Sequence, residues 1–193
     1  MKRSSVLSLF FCAILWLVAI CLFAFTGSIH PACYAYAGTF IPFVFALIYL
    51  YAASRLKNFG VATILNGFLL AVFLIVGEAD AIMAVIFILL AVVSELLRKL
   101  YGYDTRKGTR LSFIPMAFTF YGYVSHWWTD TAGSLQAAME EMPEGYAAKM
   151  EPVIANIPVL VVMIALVVPV SILAMRLAEK VLKKSSSRLN SLN

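Results

Sequence analysis

Hydrophobic positions fall in long unbroken runs along this chain, and polar positions fall in short clusters between them. Val6 to Phe25 carries no charge. The runs Val61–Val76 and Ala81–Ser94 flank a four-residue turn, Gly77-Glu78-Ala79-Asp80. Runs near the length that spans a bilayer, separated by charged connectors, predict transmembrane helices. Six are expected, at about 6–26, 38–54, 59–77, 80–97, 111–128 and 153–175, in an all-α polytopic membrane protein of one domain, 1–193. Pro42, Pro115 and Pro158 lie in the first turns of their helices, where a missing amide is tolerated, and Pro169 marks an internal kink. Residues 129–152 make the longest polar segment, read as an outer loop or lid with a short amphipathic helix from Gly133 to Met142. The tail is expected to fray beyond Lys184.

Composition agrees with the pattern. At 63% hydrophobic and 13% charged, the sequence excludes an ordinary soluble domain. The net charge of +5 does not imply nucleic acid, because the cations sit in connectors and form no basic groove with interleaved aromatics. Their distribution sets an orientation instead. With both termini in the cytoplasm, Lys149 is the one cation of fifteen placed outside. Glu78, Asp80, Asp130, Glu140, Glu141, Glu144 and Glu151 fall outside, and three acidic residues fall inside. This satisfies the positive-inside rule at every loop and predicts a multi-pass protein of the cell membrane. After a short basic start, the apolar run Val6 to Phe25 is read as a retained helix: its 20 residues exceed the ~7–15 of a signal peptide.

No enzyme signature appears: there is no GxxxxGK[ST], GxSxG, HExxH or CxxC. No catalysis, cofactor or metal site is therefore expected, and Cys12, Cys21 and Cys33 suggest no disulfide framework or zinc site. Polar and aromatic groups gather on the outer side. Tyr34, Tyr36, Glu78, Asp80, Tyr123, His126, Trp127 and Asp130 are the candidate substrate-binding residues, as convergent polar groups among apolar walls. The carboxylates at 78 and 80 would suit a ligand with a cationic group. For Asp80 the simpler alternative is an N-cap on the helix that follows. For the rings it is an interfacial aromatic belt. A haem-like ligand is a further expectation, with His30, His126 and Tyr34 as candidate axial ligands in an aromatic surround. Ser4, Ser8 and Cys12 recur at a spacing of four, a strip of small residues on which another membrane helix, or this chain's own bundle, could pack closely.

The segments LKNFGVATILNGFLLAVFLIVGE, FYGYVSHWW and EEMPEGY, with the basic turn after the fourth helix, resemble the Trep_Strep family over nearly the whole chain. That resemblance implies the fold and role of a substrate-binding (S) component of an energy-coupling factor (ECF) importer. Where S components present an Ala-xxx-Ala strip to the membrane coupling subunit, this chain has Ser8 and Cys12. The implied partners are that coupling subunit and two cytoplasmic ATPases. The implied cargo is a small nutrient such as a vitamin, metabolite or haem. The rival class is a stand-alone carrier, channel or structural membrane partner. A carrier usually places ionisable groups near the bilayer midplane.

Overall fold

The computed structural model describes residues 3–190, with side chains described for residues 5–184. Five rods form where the apolar runs predict them. α1 (Arg3–Ala24) leads into a 3-10 turn, the short α2 (Pro31–Tyr36) and a second 3-10 turn. α3 (Pro42–Arg55), α4 (Val61–Val76) and α5 (Ala81–Tyr101) follow. α6 (Arg106–Met116), α7 (Thr119–Val124) and α8 (His126–Thr129) come next. α9 (Thr131–Glu141), α10 (Tyr146–Ala155) and α11 (Ile157–Asn190) complete the chain.

α1 packs on α3 and α4, α5 lies between α4 and α6, and α11 closes against α3 and α6. Aromatic side chains set the contacts. Trp16 of α1 stacks on Phe45 of α3 with ring centroids 3.6 Å apart and planes 12° from parallel. Truncating either ring to alanine would cost about 3–5 kcal/mol. Buried hydroxyls and amides cross-link the rods. The Tyr49 hydroxyl donates to Ser112 Oγ at 2.8 Å, and Ser94 donates to the Ser112 carbonyl at 2.7 Å. Asn66 of α4 donates to the Phe87 carbonyl of α5 and accepts from Thr119 of α7.

The turn between α4 and α5 shows how sequence fixes a boundary. Gly77 takes φ +81°, the left-handed conformation that closes a helix at little cost only for glycine. The amides of Glu78 and Ala79 then satisfy the carbonyl of Phe73. Asp80 restarts the chain, its Oδ1 accepting from the Met83 amide at 2.6 Å.

The structure departs from the sequence expectation in four places. Among the described residues, three helices are long and apolar enough to cross a membrane, 5–28, 81–101 and 157–184; the pair 31–39 and 42–55, bent by 41°, would make a fourth. α4 has 16 residues, short of the ~20 that a perpendicular span needs, so six spans do not follow from helix length. The fifth expected helix, 111–128, is three pieces that begin at Arg106. Pro115 lacks the amide that would continue the ladder, and the chain tightens so that Phe118 bonds back to Pro115. The 129–152 segment is mostly helical, as α9 and α10, and α10 runs on to Ala155. The final helix starts at Ile157 and continues to Asn190, beyond the expected fraying point.

Candidate functional site

One end of the bundle collects the rings. α2 delivers Tyr34, whose position is set by the His30 cap and by Pro31 in the first turn. Its ring lies 4.8 Å from Trp127 of α8, 5.9 Å from Phe120 of α7 and 6.2 Å from Tyr123 of α7. The Tyr34 and Tyr123 phenols lie within electrostatic range of each other. Tyr123 also stacks on Phe73, the last buried residue of α4, at 5.0 Å. Four separate elements thus converge on two phenols. Close approach here depends on small neighbours: a Cβ at Gly27 would meet Tyr34 at 3.2 Å and the Tyr146 hydroxyl at 3.4 Å.

Glu78 is exposed on the turn just past Phe73, within electrostatic range of Tyr34 and Tyr123. No hydrogen bond or ion pair engages its carboxylate among the described residues. α9 and α10 pack against each other, α9 on α8 and α10 on α2, so the 129–152 segment lies beside the cluster. The Trp128 indole donates to the Ile154 carbonyl at 3.2 Å and ties α8 to α10. Tyr146, at the start of α10, has its phenol pushed above the ordinary range, first by burial and then by Cys33.

Of the expected binding residues, Tyr34, Tyr123 and Trp127 are brought together, with Glu78 beside them and His126 at the margin. The His126 ring lies 6.3 Å from Tyr123, and its Nδ1 faces the Tyr123 carbonyl at 3.0 Å. Tyr36 stands apart, near the pair in which Thr39 and Tyr121 share a 2.7 Å hydrogen bond. Asp80 and Asp130 are exposed helix caps, Asp130 accepting from Gly133 at 3.1 Å. His30 is exposed, and its Nδ1 accepts from the Ala32 amide at 3.1 Å, so its local role is to start α2. On α1, Cys12 is 1% exposed and belongs to the chain's own core, while Ser8 is half-buried. The strip of small residues therefore turns inward at Cys12, because the opposite face of α1 carries Leu7, Phe11 and Leu15 outward. The Ser4 side chain lies outside the described residues.

Sequence reasoning missed Phe73 and Phe120, which read as ordinary core. It also missed a second polar assembly at the opposite end. Glu95 and Arg98 of α5 are 2% and 0% exposed. Glu95 Oε1 accepts from the amides of Gly60 and Ala62, at 3.0 and 2.8 Å. Arg98 Nη2 donates to the carbonyls of Ala53, Leu56 and Tyr103 at 2.7 to 3.1 Å, and its guanidinium lies over the Tyr103 ring. The signal was legible in α5, where the buried stripe Met83, Phe87, Ala91 and Ser94 runs straight into both charges.

Chemically, the aromatic end offers ring faces, two hydroxyls and an unengaged carboxylate. That set can hold a ring-bearing ligand with a cationic group, by stacking and cation–π contact. No group of three or more His, Cys, Asp or Glu side chains among the described residues is placed to hold a metal ion. A family model described as a hypothetical bacterial integral membrane protein (Trep_Strep) matches residues 4–187. No curated protein matches the chain, and no solved structure does.

Proposed function

The chain belongs to the Trep_Strep family of bacterial integral membrane proteins, and from that premise we propose that it captures a small nutrient for import. In this reading it is the S component of an ECF importer, which hands its ligand to a membrane coupling subunit driven by two ATPases on other chains. The aromatic, acidic end faces outward and both termini face the cytoplasm, as the charge distribution favours. The observation that carries the reading is the convergence of Tyr34, Tyr123, Trp127 and Phe73 beside Glu78, flanked by α9 and α10. The rings are packed against one another, so a ligand enters by parting α2 from α7 and α8. The α9–α10 pair, held by Trp128 and by its contact with α2, is the part that would move as a lid.

The test begins with the full chain purified in mild detergent and mass spectrometry of any small molecule it retains. Absorbance of the same sample distinguishes a haem-like cargo from a vitamin or metabolite. Glu78→Gln should weaken binding of the retained molecule by about 1–3 kcal/mol, since it deletes a charge and keeps the shape. Trp127→Ala should weaken it through lost stacking. Parental affinity in both variants places the site elsewhere. Uptake by the chain alone in liposomes, with no ATPase present, overturns the S-component role in favour of a carrier. Accessibility labelling of single cysteines at 104 and 140 should mark opposite sides of the membrane.

A further inference from the structure

At the basic end, α3, α6 and α11 enclose a groove of about 760 Å³. Its volume lies within the ~300–1,000 Å³ typical of ligand sites. Arg106 and Arg110 line it from α6, and Arg176, Lys180 and Lys183 line it from α11. Two carboxylates share the groove, and both are already engaged. Glu179 holds Arg110 through paired contacts of 2.6 and 2.7 Å, and Asp104 holds Lys57 at 2.9 Å. Arg106, Arg176, Lys180 and Lys183 are left without a carboxylate at contact distance among the described residues. Three of these recur at i, i+4 and i+7 on α11, so they repel one another along one face. The first turn of α6 also lines the groove, and its helix dipole adds positive potential there.

The wall changes character along α11. Leu173 and Leu177, 50% and 42% exposed, carry the groove from its cationic rim onto an apolar surface, with Leu50 facing them from α3. A free anion would use the rim and leave the apolar wall idle. A molecule with an anionic head and a hydrocarbon chain uses both. We propose that this groove is a binding site for an anionic phospholipid, its phosphate held by Arg106, Arg176 and Lys180 and its acyl chain lying along Leu173 and Leu177. Basic recesses between membrane helices bind such headgroups by this complementarity. The site lies at the opposite end from the aromatic cluster and does not depend on what that cluster binds.

The test is native mass spectrometry of the full chain in detergent, titrated with phosphatidylglycerol or phosphatidylcholine. The first phosphatidylglycerol should bind about tenfold or more tightly than phosphatidylcholine. A double variant, Arg176→Gln with Lys180→Gln, should lose about tenfold for phosphatidylglycerol and leave phosphatidylcholine unchanged. Both residues are exposed and outside the Arg110–Glu179 pair, so the fold should survive, which circular dichroism checks. Lys99→Gln removes an exposed cation of α5 outside the groove and should change neither affinity. An equal loss in Lys99→Gln reduces the effect to general surface charge and overturns the site. Equal binding of the two lipids also overturns it and leaves the groove to an acidic partner. Displacement of phosphatidylglycerol by soluble glycerol phosphate overturns it in favour of a free phosphate ligand.

Discussion

Asp80 and Glu95 lie on the same stretch of chain, one just before α5 and one near its end, and each accepts from the amides of a helix N-terminus. Asp80 serves its own helix, three residues away, and remains exposed to solvent. Glu95 serves α4, across a separation of 33 to 35 residues, and is buried. The first is a local cap, worth about 1 kcal/mol in most settings. The second joins two rods through a charged acceptor away from water, where removing one partner strands the other. Arg98, one turn on, repeats the device with reversed sign, gathering carbonyls from the end of α3 and from the loop after α5. The basic end thus spends two of its charges on holding the structure, whereas the aromatic end leaves Glu78 unengaged. Charge in this chain therefore serves architecture at one pole and stands unengaged at the other.

Four substitutions would sharpen or break this contrast, all read as thermal or denaturant stability of purified protein. Arg98→Met should have the largest effect, about 3–5 kcal/mol lost, because buried carbonyls from separate segments lose their donor together. A loss below about 1 kcal/mol would mean that water reaches those carbonyls and that the contrast fails. Glu95→Ala should cost about 1–3 kcal/mol by leaving the Gly60 and Ala62 amides without an acceptor. At the other pole, Asp80→Ala should cost about 1 kcal/mol, and Glu78→Gln should fall within about 0.5 kcal/mol of the parent. Should Glu78→Gln destabilise as much as Glu95→Ala, Glu78 is structural and the proposed ligand site loses its carboxylate.

The rods and the Gly77 turn were legible because hydrophobic run length and turn chemistry are local. Asp80 as a cap was legible for the same reason. The break in the fifth expected helix was not. Pro115 reads equally well as a first-turn proline, and only the helix starting five residues early, at Arg106, places it inside. The candidate site was half legible. Tyr34, Tyr123 and Trp127 stood out by type, but their meeting with Phe73 and Phe120 depends on how α2 and α7 pack, which no local pattern encodes. Arg98 counted as a loop charge because the orientation rule tallies cations without asking which face of a helix they occupy. Cys12 shows the same limit: a spacing of four marks a face, and what that face meets is a tertiary fact.

The α4–α5 hairpin is fastened twice, by the Gly77–Asp80 turn at one end and by Glu95 across to Gly60 and Ala62 at the other. A pair of rods joined at both ends behaves as a closed frame, stiff against both splaying and sliding. Hydrogen exchange should find the mid-helix amides of α4 and α5 opening together, as one cooperative unit. Separate opening of the two helices would show that the second fastening does not hold. Mechanical compliance then resides in the chain that follows. There α6, α7 and α8 are linked by short turns rather than by one continuous ladder, so the molecule has a rigid jamb on one side of its aromatic end and a jointed panel on the other.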